Sequence, residues 1–230
     1  MLEVNNLSKY YGKSKVLDNI NCHINKGEIV GLLGPSGSGK TTFMNIIAGI
    51  TPFKQGNVLI KGESPNINTK TSVSLLTETN SIPKWMKIKD VLDFYCEMYN
   101  DFNQEKFNNI FNDLNYEISY DKKIVDLSKG MRQLLRLALS VSRETKLYLL
   151  DEPLGGLDSL IREQVIDTII NYINENSTII ISTHLINEVE RLLQKVIFIK
   201  DGQLLGLYDC DDLRIEKGQS IEKTFKEVIR

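Results

Sequence analysis

Nine residues, Gly34-Pro35-Ser36-Gly37-Ser38-Gly39-Lys40-Thr41-Thr42, contain the pattern G-x-x-x-x-G-K-[ST], whose residue types suit the holding of phosphate. The glycines let the backbone curl so that successive N–H groups point inward at one anion. A helix starting at the end of the loop adds its partial positive charge. Lys40 can then reach the outer phosphates of a triphosphate, and the Thr41 hydroxyl can ligate Mg²⁺. The same residues could form a glycine-rich turn that binds nothing, so the flanks decide. Ahead of the loop, Glu28-Ile29-Val30-Gly31-Leu32-Leu33 reads as a buried strand. After it, Phe43, Ile46, Ile47 and Ile50 fall at helical spacing, with Gly49 and Pro52 to end the helix. Strand, glycine loop and helix in that order are the context that nucleotide binding needs.

Two further strand ends carry titratable groups. The apolar run Leu147-Tyr148-Leu149-Leu150 ends in Asp151-Glu152-Pro153. Two acids can simply stop a strand. Yet the C-terminal end of a parallel strand is where open α/β sheets bind ligands. In a phosphate-loop protein an acid there is placed to hold Mg²⁺, directly or through water. Thr178-Ile179-Ile180-Ile181-Ser182 reads as another buried strand and runs into Thr183-His184; by itself His184 is equally a core histidine. Tyr10-Tyr11-Gly12 lies in a loop ahead of the phosphate loop, where an aromatic ring can stack on a base or serve as an ordinary turn residue.

The elements around these residues predict an α/β domain. Leu2-Glu3-Val4 and the alternation Ile20, Cys22, Ile24 read as strands, with His23 on the solvent side. Val58-Leu59-Ile60 and Val73-Ser74-Leu75-Leu76 are further strands, and Thr77 to Lys89 is a polar loop around Pro83 and half-buried Trp85. Two amphipathic faces follow, one of Ile88, Val91, Leu92, Tyr95 and Tyr99 and one of Phe107, Ile110, Phe111 and Leu114. Residues from about 80 to 140 therefore read as a helical insertion between strands. Ser128 is a natural N-cap for an apolar helix over Leu134 to Val141. Ile161, Val165 and Ile169 give another helix. Val196 to Lys200 and Gln203 to Leu207 flank Asp201-Gly202 as a hairpin, and the tail ends in a helix.

Composition limits the functions open to this chain. Its 230 residues are 41% apolar and 25% charged, ordinary for a protein with a sizeable core. A net charge of −2 gives no basic footprint, so no nucleic-acid partner is expected. Cys22, Cys96 and Cys210 are scattered and odd in number, which fits reduced thiols in a cytosolic protein. No run approaches eighteen consecutive apolar residues and the polar N-terminus is unlike a signal peptide. A membrane role is expected only through a partner.

Taken together, these pieces resemble the ATP-binding subunit of ABC transporters over essentially the whole chain. Gly34 to Thr41 matches the Walker A loop, and Leu147 to Asp151 with Glu152 looks like Walker B plus the catalytic glutamate. Leu127-Ser128-Lys129-Gly130-Met131, whose Ser128 lies 23 residues before Asp151, corresponds to the signature motif. Gly156-Leu157-Asp158 is similar to the D-loop, Ser182-Thr183-His184 to the H-loop, and Tyr11 to the base-stacking aromatic. Two positions depart from the family pattern. The usual Leu-Ser-Gly-Gly-Gln is Leu-Ser-Lys-Gly-Met, which keeps the phosphate-facing Ser128 and Gly130. Glu78 stands where the Q-loop glutamine is usual; a carboxylate can ligate Mg²⁺ but repels phosphate oxygens. Both variants resemble the subfamily that drives export-type permeases.

The resemblance implies a P-loop NTPase (RecA-like) core with a small antiparallel β subdomain and an inserted helical subdomain. It implies ATP and Mg²⁺ as cofactors, with Tyr11, Gly34 to Thr42, Ser128, Gly130 and Asp158 around the nucleotide. Thr41, Asp151 and Glu78 would serve the metal, and Glu152 and His184 the chemistry. It further implies a head-to-tail dimer, with itself or a related ATPase, and a separate transmembrane permease that keeps the chain on the cytoplasmic face of the membrane; Trp85, if not half-buried, would line the groove that receives a permease helix. Two other readings stay open at this point: a soluble ABC ATPase acting on nucleic acid or the ribosome, and a phosphate-loop small-molecule kinase.

Overall fold

Alternating apolar residues at the N-terminus make a long hairpin. Leu2, Val4 and Leu7 face inward from β1 (Leu2–Tyr11), and Leu17, Ile20 and Ile24 from β2 (Ser14–Ile24). The unbroken apolar run that follows is β3 (Ile29–Leu33), and the glycine loop leads from it into α1 (Lys40–Ile47). β4 (Gln55–Ile60) pairs with β1, completing a three-stranded antiparallel sheet in the order β2-β1-β4. The structure, a computed structural model, describes residues 1–77, 82–215 and 220–229.

The rest of the chain completes a six-stranded sheet around β3. β5 (Val73–Leu76) is followed by α2 (Ile88–Met98), α3 (Gln104–Asp113) and α4 (Lys129–Val141), and only then by β6 (Leu147–Asp151). Next come α5 (Ser159–Tyr172), β7 (Thr178–Ser182), α6 (Ile186–Val189), β8 (Lys195–Lys200), β9 (Gln203–Asp209), α7 (Cys210–Ile215) and α8 (Ile221–Ile229). The strand order is β5-β6-β7-β3-β8-β9, and every neighbouring pair is parallel except β8 with β9. This is the expected α/β core with a small antiparallel sheet and an inserted run of helices.

The central strands are apolar throughout because both of their faces are covered. Leu147 and Leu149 pack with Phe43 and Met44 of α1 and the inner face of the antiparallel sheet. Tyr148 and Leu150, pointing the other way, join Leu134, Leu137 and Ala138 of α4 and Val165 and Ile169 of α5. Each such buried aliphatic or aromatic side chain stabilises the fold by about 1.5–3 kcal/mol. The carboxyl ends of β3, β6 and β7 thereby end up side by side.

Local details depart from the sequence reading in three places. Ile50 lies past α1 and is 59% exposed, because Gly49 takes φ 68° and ends the helix before it. Tyr10 and Tyr11 are the last residues of β1, not part of a loop. Trp85 is 73% exposed instead of half-buried. The Asp201-Gly202 turn is as expected, with φ of 49° and 77°, both left-handed as a type I′ turn requires. Burial pushes the Cys210 thiol up to about 12, which leaves it protonated and inert at neutral pH. Among the described residues no helix is long and apolar enough to cross a membrane.

One buried cation fastens the helical run to the sheet edge. Arg143, 5% exposed, donates to Val73 O at 2.9 Å and to both carboxylate oxygens of Asp101 at 3.0 and 2.9 Å, under the Tyr99 ring 4.0 Å away. Arg143→Ala strands a carboxylate and a carbonyl in a largely dry site and should cost about 3 kcal/mol. Urea unfolding measures it; a loss below about 1 kcal/mol would show that water replaces the guanidinium without penalty.

Candidate nucleotide-hydrolysis site

The glycine loop is shaped by what surrounds it. A Cβ on Gly34 would lie 2.2 Å from Ile199 O and 2.6 Å from the Ser38 hydroxyl, so the chain leaves β3 through a gap that admits glycine alone. Gly39, the N-cap of α1, has φ 108° and packs against Val16 O and Leu17. Ser38 N donates to Pro35 O at 3.2 Å, and Gly202 N in the β8–β9 turn donates to Ser38 O at 3.1 Å. Lys40 curls back over this loop, its Nζ donating to Gly34 O at 2.7 Å and Pro35 O at 2.9 Å. The Ser38 hydroxyl is buried and has no hydrogen-bond partner among the described residues. The lysine ammonium and the N-terminus of α1, both facing the cavity, fit an anion lying in the loop.

Across the end of β7, the helix that follows β3 reaches the end of β6. Thr41, in the first turn of α1, donates its hydroxyl to Asp151 Oδ2 at 2.7 Å. Asp151 ends β6 and is 2% exposed; its other oxygen accepts from the Ser182 hydroxyl at the end of β7. A hydroxyl and a carboxylate in contact at the mouth of the phosphate loop are the hard oxygen ligands that Mg²⁺ takes.

Glu152 turns away from its strand. Its φ of 49° is left-handed, disfavoured for a residue with a Cβ by about 1–2 kcal/mol. Hydrogen bonds hold it there: its N–H reaches Ser182 O at 3.0 Å and Ser182 Oγ at 3.2 Å. Its carbonyl accepts from Gln133 Nε2 at 3.1 Å. The carboxylate so directed has His184 Nδ1 3.0 Å from each oxygen. A carboxylate that is largely buried and a histidine that is 68% exposed thus face the same opening.

That opening is a cavity of about 1190 Å³. The phosphate loop lines it, with Asp151, Glu152 and His184, while Tyr11 stands at it half exposed with Lys9 Nζ 4.8 Å from its ring centre. From the helical run come Lys84, Lys129, Arg132 and Arg136, so the cavity is strongly cationic apart from two acids. Five residues expected around the nucleotide do not line it: Pro35 and Ser38, which lie within the loop's own turn, and Ser128, Gly130 and Asp158. Ser128 and Asp158 are exposed N-caps, of α4 (bonding Met131 N at 3.1 Å) and α5 (bonding Ile161 N at 3.0 Å). Gly130 follows Ser128 in the first turn of α4. Glu78 lies outside the described residues. Gln133 and Arg136 join the site without a motif to mark them; Ser182 lies in the stretch that resembles the H-loop, which marks its position but not its bonds to Asp151 and Glu152.

Fold and site together define a phosphate-loop nucleoside triphosphatase. The profile of the ABC transporter family matches residues 17–155. The ABC transporter ATP-binding protein YtrB of Bacillus subtilis (strain 168) is 33% identical over 219 residues, covering 94% of this chain and 74% of that protein. The SkfA peptide export ATP-binding protein SkfE, also of Bacillus subtilis, is 28% identical and is matched over 100% of this chain and 96% of its own. A solved structure described as the ATP binding subunit of an ABC transporter superposes with a TM-score of 0.89 at 24% identity, over 99% of both chains. This chain belongs to the ABC transporter family and is its ATP-hydrolysing subunit.

Proposed function

We propose that this chain drives export by hydrolysing ATP at the cavity between the phosphate loop and the ends of β6 and β7, for a separate transmembrane permease. The observation that carries the proposal is the Glu152 carboxylate, held by His184 beside the Thr41–Asp151 pair. Tyr11 gives the base a face to stack on. The loop from Gly34 to Thr42 takes the phosphates through its N–H groups, and Lys40 exchanges its carbonyl partners for the outer ones. Thr41 and Asp151 hold Mg²⁺, which when bound neutralises charge on the phosphates. Glu78 belongs with them on the family resemblance. Glu152 accepts the proton of the attacking water, and His184 keeps that water and the terminal phosphate in line.

Ser128 and Gly130, outside the cavity at the exposed start of α4, act on the nucleotide of a second ATPase subunit, with its helix N-terminus toward the terminal phosphate. Asp158 borders the same interface. The contact lasts only while that phosphate does, so hydrolysis opens the dimer. The insertion over residues 80–140, with Trp85 exposed on it, receives the permease on the cytoplasmic side of the membrane. The peptide export in which SkfE is named supports export as the direction. Purified chain should hydrolyse ATP without passing phosphate to a small acceptor, and faster when reconstituted with its permease in vesicles. Phosphorylation of an acceptor would favour a kinase instead.

Ser182 has a measurable share in this site, since its hydroxyl serves both the Asp151 carboxylate and the Glu152 N–H. Ser182→Ala should raise the Mg²⁺ concentration for half-maximal hydrolysis by about 10- to 100-fold, the usual cost of losing a group that orients a metal ligand. Ser182→Thr, which keeps the hydroxyl, should restore most of it. Titrations of Mg²⁺ against rate decide, and superimposable curves for Ala and wild type reject the role. The same titration on Glu78→Gln tests that residue's place at the metal.

A further inference from the structure

We infer that Arg136 is a positioning residue for Glu152, acting through Gln133; the inference rests on the reading of Glu152 as the base. Gln133 and Arg136 lie three residues apart on α4 and so share one face of it. Gln133 is 3% exposed, and its amide nitrogen donates to Glu152 O at 3.1 Å and to Pro153 O at 2.9 Å. Its amide oxygen accepts from Arg136 Nη2. The other arm of the guanidinium, Nη1, donates to Thr77 O at 3.0 Å, just past the end of β5.

The chemistry of the groups fixes the direction of this chain. A guanidinium only donates, so the Gln133 atom facing Arg136 must be the oxygen, and the nitrogen must face Glu152. Without Arg136 the amide can rotate, and a rotated amide would set its oxygen against two carbonyls. The anchored peptide is also the one that needs anchoring. Glu152 sits at φ 49°, held at its N–H by Ser182 and at its carbonyl by Gln133 from α4 and by Gly155 N at 3.0 Å within its own turn. Such a conformation persists only when its surroundings over-determine it. If the Gln133 bond is lost, the carbonyl keeps only the Gly155 N–H, which moves with the same turn, and the peptide can relax toward an ordinary strand end, taking the carboxylate with it. Because the fork also holds Thr77, the direction of the Glu152 carboxylate is tied to where the chain leaves β5.

A simpler role is open to Arg136, since it lines the cavity and could merely attract phosphate. The two roles predict different kinetics. For positioning, Arg136→Ala should lower kcat by about 10- to 100-fold, the scale of an ångström-sized misplacement, with the Kd for ATP within about threefold of wild type. Arg136→Lys should recover little, because an ammonium cannot bridge Gln133 and Thr77 as a planar fork does. Gln133→Ala should show the same kcat loss, and the double variant should be no worse than the poorer single one. Arg136→Met, which keeps most of the stem's packing, replaces the alanine variant if that fails to fold by thermal unfolding. Recovery by lysine with ATP affinity following charge, or additive losses in the double variant, would overturn the inference. Glu152→Gln separates the two claims. If it alone turns over normally, the base assignment has failed; if it is inactive while Arg136→Met matches wild type, the positioning claim has.

Discussion

Glu152→Gln should bind ATP as wild type does and hydrolyse it about 10²- to 10⁴-fold more slowly, the range a positioned general base contributes. The substitution keeps size and shape, so the turn at φ 49° and its bonds to Ser182 and Gln133, all made by the backbone, stay in place. The metal pair Thr41–Asp151 is untouched. What is lost is an atom that can take a proton: an amide oxygen accepts a hydrogen bond but is not a base at neutral pH. With the terminal phosphate uncleaved, the dimer should accumulate, visible by size-exclusion with ATP and Mg²⁺. Single-turnover rates at saturating ATP give the chemical step directly, and near-normal turnover would remove Glu152 from the mechanism.

Lys40→Ala acts one step earlier, on affinity. Lys40 is 9% exposed and its ammonium lies over the loop, donating to Gly34 O and Pro35 O. A hydrogen bond to a charged group is worth about 1.5–3 kcal/mol, so losing the phosphate contact should weaken ATP binding by about 10- to 150-fold. Equilibrium titration with ATP measures it, and an unchanged Kd would mean that the loop is not the cradle. The two variants also separate by order: the first arrests bound nucleotide, the second prevents its binding.

Much of this site is legible in the sequence, for reasons that are themselves physical. The phosphate loop is contiguous, and so is the Asp151-Glu152 pair, so their chemistry is written at fixed spacing. Ser128 announces the start of α4 because capping is a local interaction. That His184 and Glu152 come together needs only the assumption that two parallel strands, each ending in a titratable group, are neighbours. The β6–β7 pairing of Asp151 with Ser182 bears that out. Gln133 and Arg136 are not legible, nor is the bond from Ser182 to Asp151, because each acts through a contact between separate elements that carries no spacing in the chain. The positive φ of Glu152 is hidden for a further reason: nothing about a glutamate after a strand suggests a left-handed backbone. The sequence misleads at Trp85 because tryptophan is usually well buried, a tendency that does not see where the helical run presents its surface.

The placement of β3 has a consequence for the order in which the protein can acquire its activity. The strand that leads into the phosphate loop is flanked by β7 and β8, and its approach is tied to Thr178 by the Gly27 N–H, 151 residues apart. The loop also rests on Ile199 O at Gly34 and on the Gly202 N–H at Ser38. At roughly 5–20 residues per second, a ribosome needs about 10–30 s after making β3 to deliver these partners. During that interval the N-terminal hairpin can form from local contacts, but the strand beside it has no neighbour on either edge. Nascent chains therefore carry an unpaired, wholly apolar strand for most of their synthesis, the kind of segment that recruits chaperones. Nucleotide gives no help until the last hairpin docks, because there is no cradle to bind it and so no linkage to favour the folded state. ATP can stabilise the finished subunit, but it cannot guide the chain there.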